Sequence, residues 1–285
     1  MLAAIKDNAV LRRVASDRLG LAAAILLVAI ILVGALAPYL PLGDPEAIGA
    51  AERLMPPNSQ YLLGTDELGR DFLPRLLGGI STTFLISSVA VLITAVMGTL
   101  VGIAAAYYGG TFDAIVARLA DVLFAFPALV FGLLISAIIG MGNTAAIIVI
   151  VLDTLPRFVR VIRGVTLSVA ERDFVVSSVI AGGSSLRAMV VHILPNIMGV
   201  AMIQLTFSLS VGMLIESGLS FLGFGVQPPA ASLGSLLQQG TVYLTAAPWL
   251  ALLPGLMLAL CIGSVQLLGD TLRDALDPLR GRDLK

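Results

Sequence analysis

The chain has 285 residues, 58% of them apolar and 12% charged, with a formal net charge of −1 and a mean hydropathy of +1.00. Soluble domains carry about 25% charged residues, so a soluble protein is excluded, an all-α integral membrane protein is expected, and nothing suggests a nucleic-acid partner. Cys261 is the only cysteine, which excludes a disulfide or a zinc site within one chain.

A bilayer core of about 30 Å needs roughly 20 apolar residues per helix, and six such stretches follow one another. Residues 19–43 carry no charge and supply the first. A secretory leader has a shorter apolar region of about 7–15 residues, and Pro38 follows the would-be cleavage site, so a retained anchor is expected. Ahead of it, residues 1–18 mix Leu2, Ile5, Val10, Leu11 and Val14 with basic side chains. That pattern fits an interfacial helix or a basic tail that only sets topology. The second span is expected at 81–105. It contains Gly98 and Gly102, a weak sign of close helix approach. Gly140-Met141-Gly142-Asn143 is a turn signal that separates a third span, 116–139, from a fourth, 144–162. The fifth covers 197–215 and the sixth runs from Pro248 to about residue 268. Pro127 and Pro254 fall inside spans three and six, where kinks are expected.

Counting Lys and Arg sets the orientation. With the N-terminus inside, Lys6, Arg12, Arg13, Arg18, Arg118, Arg157, Arg160, Arg163, Arg172, Arg187, Arg273, Arg280, Arg282 and Lys285 all lie on the inner side. Only Arg53, Arg70 and Arg75 of the 17 basic residues remain outside, beside six acids from Asp44 to Asp71. Both termini are therefore expected in the cytoplasm.

The outer segment 39–75 is rich in Pro, Gly and acids. Its charge could attract a basic partner, but charge alone favours a solvated loop. The second outer segment, 217–247, has no charge at all. A stretch so apolar, broken by Gly223, Gly225, Pro228 and Pro229, is expected to fold back into the mouth of the bundle. Trp249 suits an interface anchor.

Ionisable residues inside a membrane are functional suspects, and three qualify. Asp121 lies three residues after Arg118, and Asp153 four before Arg157, so a local ion pair is favoured over a functional role for each. Glu216 has no cation nearby in sequence; it either bonds the following turn or lines a path. No ladder of acids and histidines crosses the membrane, which weakens a proton-relay reading. His192, the only histidine, is a pH switch or, on the favoured reading, an imidazole bonding a helix-end carbonyl.

The organising stretch is 165–196, too polar for a bilayer interior and too long for a structureless connection. Phe174, Val175, Ser178, Val179 and Ala181 can share one helical face, and Leu186, Met189 and Val190 another. Gly182-Gly183 stops the first helix, Ser184-Ser185 caps a second, and Leu194-Pro195-Asn196 is expected to break that helix before the fifth span. A helix–turn–helix at the inner membrane face is a docking surface. No phosphate-binding glycine loop, histidine cluster or serine nucleophile setting is visible, so any energy must come from another subunit.

These residues resemble a known family. With Gly182 and Leu194-Pro195 aligned, the stretch keeps the spacing of the E-A-A-x3-G-x9-I-x-L-P loop of importer-type ABC permeases without a gap. Val176-Ser177-Ser178 stand in the E-A-A places and His192 in that of isoleucine. Leu63-Gly64-Thr65-Asp66-Glu67-Leu68-Gly69-Arg70-Asp71 is similar to a signature of the dipeptide/oligopeptide/nickel branch. So are Tyr108-Gly109-Gly110 with Asp113, Arg118, Asp121 and Pro127, and Glu216 with Leu219-Ser220-Phe221-Leu222-Gly223 and Gln227-Pro228-Pro229. Gly269-Asp270, Leu272-Arg273-Asp274 and Leu276-Asp277-Pro278 look like that branch's tail, while Leu233 stands where tryptophan is common.

The resemblance implies a type I ABC importer permease fold (MetI-like) with an extra N-terminal helix. Residues 1–80 hold the tail, first helix and outer segment, 81–275 the permease core, and 276–285 a cytoplasmic tail. It implies a homologous second permease subunit, two cytoplasmic ATPase subunits that hold ATP and Mg, and an extracytoplasmic solute-binding protein. This chain would sit among membrane lipid in the inner membrane, bind no cofactor or metal and perform no catalysis. The substrate would be a peptide, with glutathione, nickel complexes or another small solute as alternatives. The coupling loop would be Phe174, Ser177, Ser178, Val179, Gly182, Leu186, Arg187, Leu194 and Pro195. Phe174, Val179 and Leu186 would anchor it in an ATPase groove, Gly182 would set the bend, and Arg187 would meet an acidic rim. Asp66, Arg70, Asp71, Glu216 and Gln227 would face the binding protein or the path. Two other classes compete: an ion-coupled transporter acting alone, which predicts pseudo-symmetric halves not evident here, and a non-transporting membrane anchor for a cytoplasmic partner.

Overall fold

Asp17 opens the first helix, its carboxylate accepting the Leu19 amide at 3.2 Å. The computed structural model describes residues 17–276, so residues 1–16 and the tail from Asp277 lie outside it, together with what was expected of them. Helix α1, Arg18–Leu36, is apolar all round and buries only the row Gly20, Ala23, Leu27, Ile30 and Gly34, spaced three and four apart as one helical face requires. The outer segment follows. Helix α2, Phe72–Tyr108, begins nine residues before the expected span because Asp71 caps it, accepting the Leu73 amide at 3.0 Å. Its first turns pack against the outer segment.

Helix α3, Gly110–Phe124, and helix α4, Ala128–Ile139, replace the single third span: they meet at 92°. Pro127 supplies the reason. Its extended backbone (φ −61°, ψ 133°) precedes α4 and it has no N–H to continue α3. Helix α5, Asn143–Ala170, runs past the expected end near residue 162. Arg163, expected just past that end, therefore lies on the same helix as Arg157 and Arg160, and all three pair with acids.

Helix α6, Asp173–Ile180, is short. Helix α7, Ser185–Phe221, is one 37-residue rod, which corrects the expected break at Leu194-Pro195-Asn196. A wide π turn over Ala188–Ile193 lets the chain pass Pro195, and the Asn196 side-chain amide donates to the His192 carbonyl at 2.7 Å. Helix α8, Leu233–Val242, folds back into the bundle as expected, opened by a reciprocal Ser232–Ser235 cap. Helix α9, Trp249–Leu276, closes the described chain.

All the regular structure among the described residues is helical. Four helices, α1, α2, α7 and α9, are long and apolar enough to cross a membrane, and the bent α3–α4 pair makes five. Helix α5 has spanning length but carries Asp153 and three arginines. The six expected spans thus have six counterparts in the same order. Apolar burial falls into three layers. One packs Phe72, Leu76, Met213, Leu236 and Leu250; a second packs Ile86, Val91, Val149, Ile150 and Leu219. The third packs Ile103, Phe158, Ile162, Val175, Ala188 and Ile193. The weak Gly98/Gly102 signal is used there: a Cβ on either would lie 2.7 Å from Phe158 or 2.9 Å from Ile162, so only glycine lets α2 and α5 approach so closely.

Candidate functional site

The helix–turn–helix is built from local chemistry. Asp173 sits in the first turn of α6, where a carboxylate suits the positive end of the helix dipole. At the far end Gly182 takes φ +87°, a left-handed conformation that glycine adopts without strain. Its amide donates to the Val179 carbonyl, and that of Gly183 to Ser178, both at 3.0 Å. Ser184 then caps α7, accepting the Arg187 amide at 3.3 Å. The glycine stop and the serine cap stand where the residue types place them.

The faces differ from expectation. Val175, expected beside Phe174, turns inward at 2% exposure and joins the layer of Ile162 and Ala188. Phe174 (41% exposed), Val179 and Leu186 (68%) face outward, and the Phe174 ring meets the His192 imidazole edge-on at 6.3 Å. Ser177, Arg187 and Pro195 are exposed, while Ser178 and Leu194 are half-buried. The elbow therefore carries an uncovered apolar ridge on a base locked into the bundle.

Beside it, α3 is tied to α5 by ion pairs that no local spacing could reveal. Arg163 forks onto both oxygens of Asp113, with Nη2 at 2.6 Å from Oδ2. Asp121 pairs with Arg160 at 3.0 Å, not with Arg118 as its position suggested. Asp153 does pair with Arg157, at 3.4 Å.

The outer segment 39–75 is not the solvated loop that charge suggested. Asp66 is 2% exposed. Its Oδ1 accepts the Leu68 and Arg70 amides at 2.9 Å, and its Oδ2 takes Arg70 Nε at 2.6 Å. Arg75 Nε lies 3.3 Å from the same oxygen, off the line of a hydrogen bond, while its Nη1 donates to the Pro45 carbonyl at 3.2 Å. Thr65 closes the knot through the Glu52 carbonyl at 2.6 Å. Asp66 and Arg70 thus hold each other and shape the segment; of the expected outer residues, half-buried Asp71 caps α2. Burial raises the Asp71 carboxyl above the ordinary aspartate range, and the Leu73 amide opposes this.

Glu216 is fully buried near the end of α7. The Ser220 and Ser217 hydroxyls donate to it at 2.7 and 3.2 Å, and those of Thr83 and Ser232 face it. Thr83 in turn accepts the Leu233 amide at 3.0 Å, and Ser220 that of Val226 at 3.1 Å. Of the two readings from sequence, bonding the following turn is the arrangement seen, extended to α2 and α8. Gln227 is exposed, its amide donating to the Gly223 and Gly225 carbonyls at 3.0 and 2.9 Å.

The family described as the binding-protein-dependent transport system inner membrane component matches residues 98–282. The di/tripeptide transport system permease protein DppC of Pseudomonas aeruginosa is 38% identical over 255 residues, 87% of this chain and 84% of that protein. The dipeptide transport system permease protein DppC of Haemophilus influenzae is 36% identical over 260 residues, 89% and 88%. Among solved structures, a chain of the MetNI methionine ABC transporter in inward-facing conformations matches with a TM-score of 0.57 at 18% identity. That match covers 72% of this chain and 98% of the other. The chain belongs to the family of binding-protein-dependent transport system inner membrane components.

Proposed function

We propose that the chain is the membrane-spanning permease subunit of an ATP-binding-cassette importer for short peptides. It works beside a homologous second permease, two cytoplasmic ATPase subunits that hold ATP and Mg, and an extracytoplasmic binding protein. Both termini and the elbow face the cytoplasm. The chain is non-catalytic: it converts the ATPases' closure into movement of its helices.

The carrying observation is the elbow itself. Phe174, Val179 and Leu186 stand uncovered, while Val175 and Ala188, on the same two helices, are 2% and 1% exposed. A partner gripping the ridge moves the core with it, because α7 continues unbroken from the ridge to Glu216. Gly182 holds the two halves of the ridge at one angle. Ser177 and Ser178 keep the turn narrow, and exposed Arg187 offers a cation to an acidic rim. At the other end, the ordered segments around Asp71 and Gln227 form the face for the binding protein. The names of the two permease relatives support peptides as substrate.

The test is co-purification of the ATPase and peptide-stimulated ATP hydrolysis in vesicles containing all subunits. Phe174→Asp is expected to abolish both while the permease pair stays assembled. Intact ATPase association in this variant would overturn the coupling role. ATP-independent uptake by the wild type would overturn the importer reading.

A further inference from the structure

The α3–α4 bend borders an open cavity of about 320 Å³, lined by Phe124, Phe126, Ala128, Asp153 and Arg157 among others. Neither the elbow nor the outer segment takes part in it. Asp153 lies ten residues into the 28-residue α5. At 1.5 Å per residue that is about 15 Å along the helix from one end and about 25 Å from the other, and charged side chains inside a membrane bundle mark solute paths.

The pair is only partly satisfied. Oδ1 of Asp153 takes Arg157 Nη2 at 3.4 Å, but Oδ2 is shielded from solvent and has no hydrogen-bond partner. Arg157 leaves 45% of its side chain exposed and leans over the Phe124 ring at 6.0 Å. The neighbouring ion pair, Asp121 with Arg160, is closed on itself at 3.0 Å. A buried charge left uncompensated is costly, so the empty Asp153 Oδ2 has capacity for a further donor. Here an acceptor and a cation keep capacity inside one cavity with aromatic walls. The first turn of α4, uncapped by any side chain, adds a positive dipole end on its border.

A ligand matching this arrangement carries an ammonium and a carboxylate. We propose that the cavity is a transit site for a short zwitterionic peptide, its ammonium set against Asp153 and its carboxylate against Arg157 and the first turn of α4. This rests on the peptide reading above and adds which chemical groups the permease itself recognises. At about 320 Å³ the cavity sits at the small end of ligand sites, about 300–1,000 Å³, which suits a dipeptide better than a longer chain.

The test is equilibrium binding to the complete membrane complex, purified with its ATPases but without the binding protein, so that the binding protein's own selectivity does not enter. The probes are alanyl-alanine, its N-acetyl derivative and its C-terminal amide. The wild type is expected to bind the free dipeptide about tenfold or more tightly than either blocked form, the scale of one charge-assisted hydrogen bond. Asp153→Asn removes the discrimination against the acetylated probe and keeps that against the amide. Arg157→Gln does the reverse. Wild-type discrimination in both variants, or no binding of any probe to the wild type, overturns the site. If Asp153→Asn fails to assemble, Arg157→Gln alone decides, since an unchanged ratio of free dipeptide to amide overturns the proposal. Uptake of alanyl-alanine by the complete importer in vesicles is measured in parallel. Uptake with no discrimination sinks the site alone, whereas absence of uptake sinks the peptide reading beneath it.

Discussion

The two ends of the bundle use opposite chemistry. At the outer end, charges are buried among partners: Asp66 bonds Arg70 and lies 3.3 Å from Arg75, which donates to the Pro45 carbonyl, and Glu216 sits in a ring of hydroxyls. At the elbow, apolar side chains are exposed and open, with Phe174, Val179 and Leu186 lacking cover. Exposed apolar patches mark partner surfaces, whereas a buried charge knot is complete without one. Substitutions at the outer end should therefore change stability, and those at the elbow should change association.

The largest effect on stability is expected from Asp66→Ala, which takes away the buried carboxylate that Arg70 and Arg75 share and leaves Arg70 only Glu67 at 3.4 Å and Arg75 only the Pro45 carbonyl. Thermal unfolding in detergent should show a loss of about 3–5 kcal/mol. Glu216→Ala comes next. It strips the acceptor from the Ser217 and Ser220 hydroxyls, for about 1–3 kcal/mol, and should expose the region around α8 to faster hydrogen exchange. At the elbow, Gly182→Val forces a branched side chain into φ +87°, about 1–2 kcal/mol locally, and should weaken ATPase association more than it lowers the melting temperature. Arg160→Gln opens an ion pair more than half exposed on both sides, worth about 0–1 kcal/mol in an unfolding titration. Smallest of all should be Phe174→Asp, within about 0.5 kcal/mol, although it is expected to abolish ATPase association. If Phe174→Asp melted the bundle as Asp66→Ala does, the contrast between the two ends would collapse.

What could be read from residues alone was what local chemistry decides. The order of apolar stretches, the Gly182 stop, the Ser184 cap and the return of 217–247 into the bundle all follow from neighbours in the chain. Charge composition misjudged the outer segment, because a count of acids says nothing of where they point. Asp66 meets Arg70 four residues on, across a turn, and Arg75 further along, and both turn inward. Pro127 announced a kink without its angle, which depends on how α3 docks its acids onto the arginines of α5, 39 and 50 residues away. Pro195 looked like a stop because a proline removes one amide from a regular helix; a wider turn just before it absorbs the loss. An eight-residue helix such as α6 leaves its buried face undecided between Phe174 and Val175 until the bundle is in place.

The unbroken run of α7 has a mechanical consequence. A rod of 37 residues is about 55 Å long, so it spans the hydrocarbon layer with turns to spare at each end. On the coupling proposed above, a displacement at the Ser184 end would reach Glu216 along this one continuous helix. The π turn at Ala188–Ile193 is the one stretch of it that departs from regular α-helix, so its irregular turn lies next to the elbow and not beside Glu216.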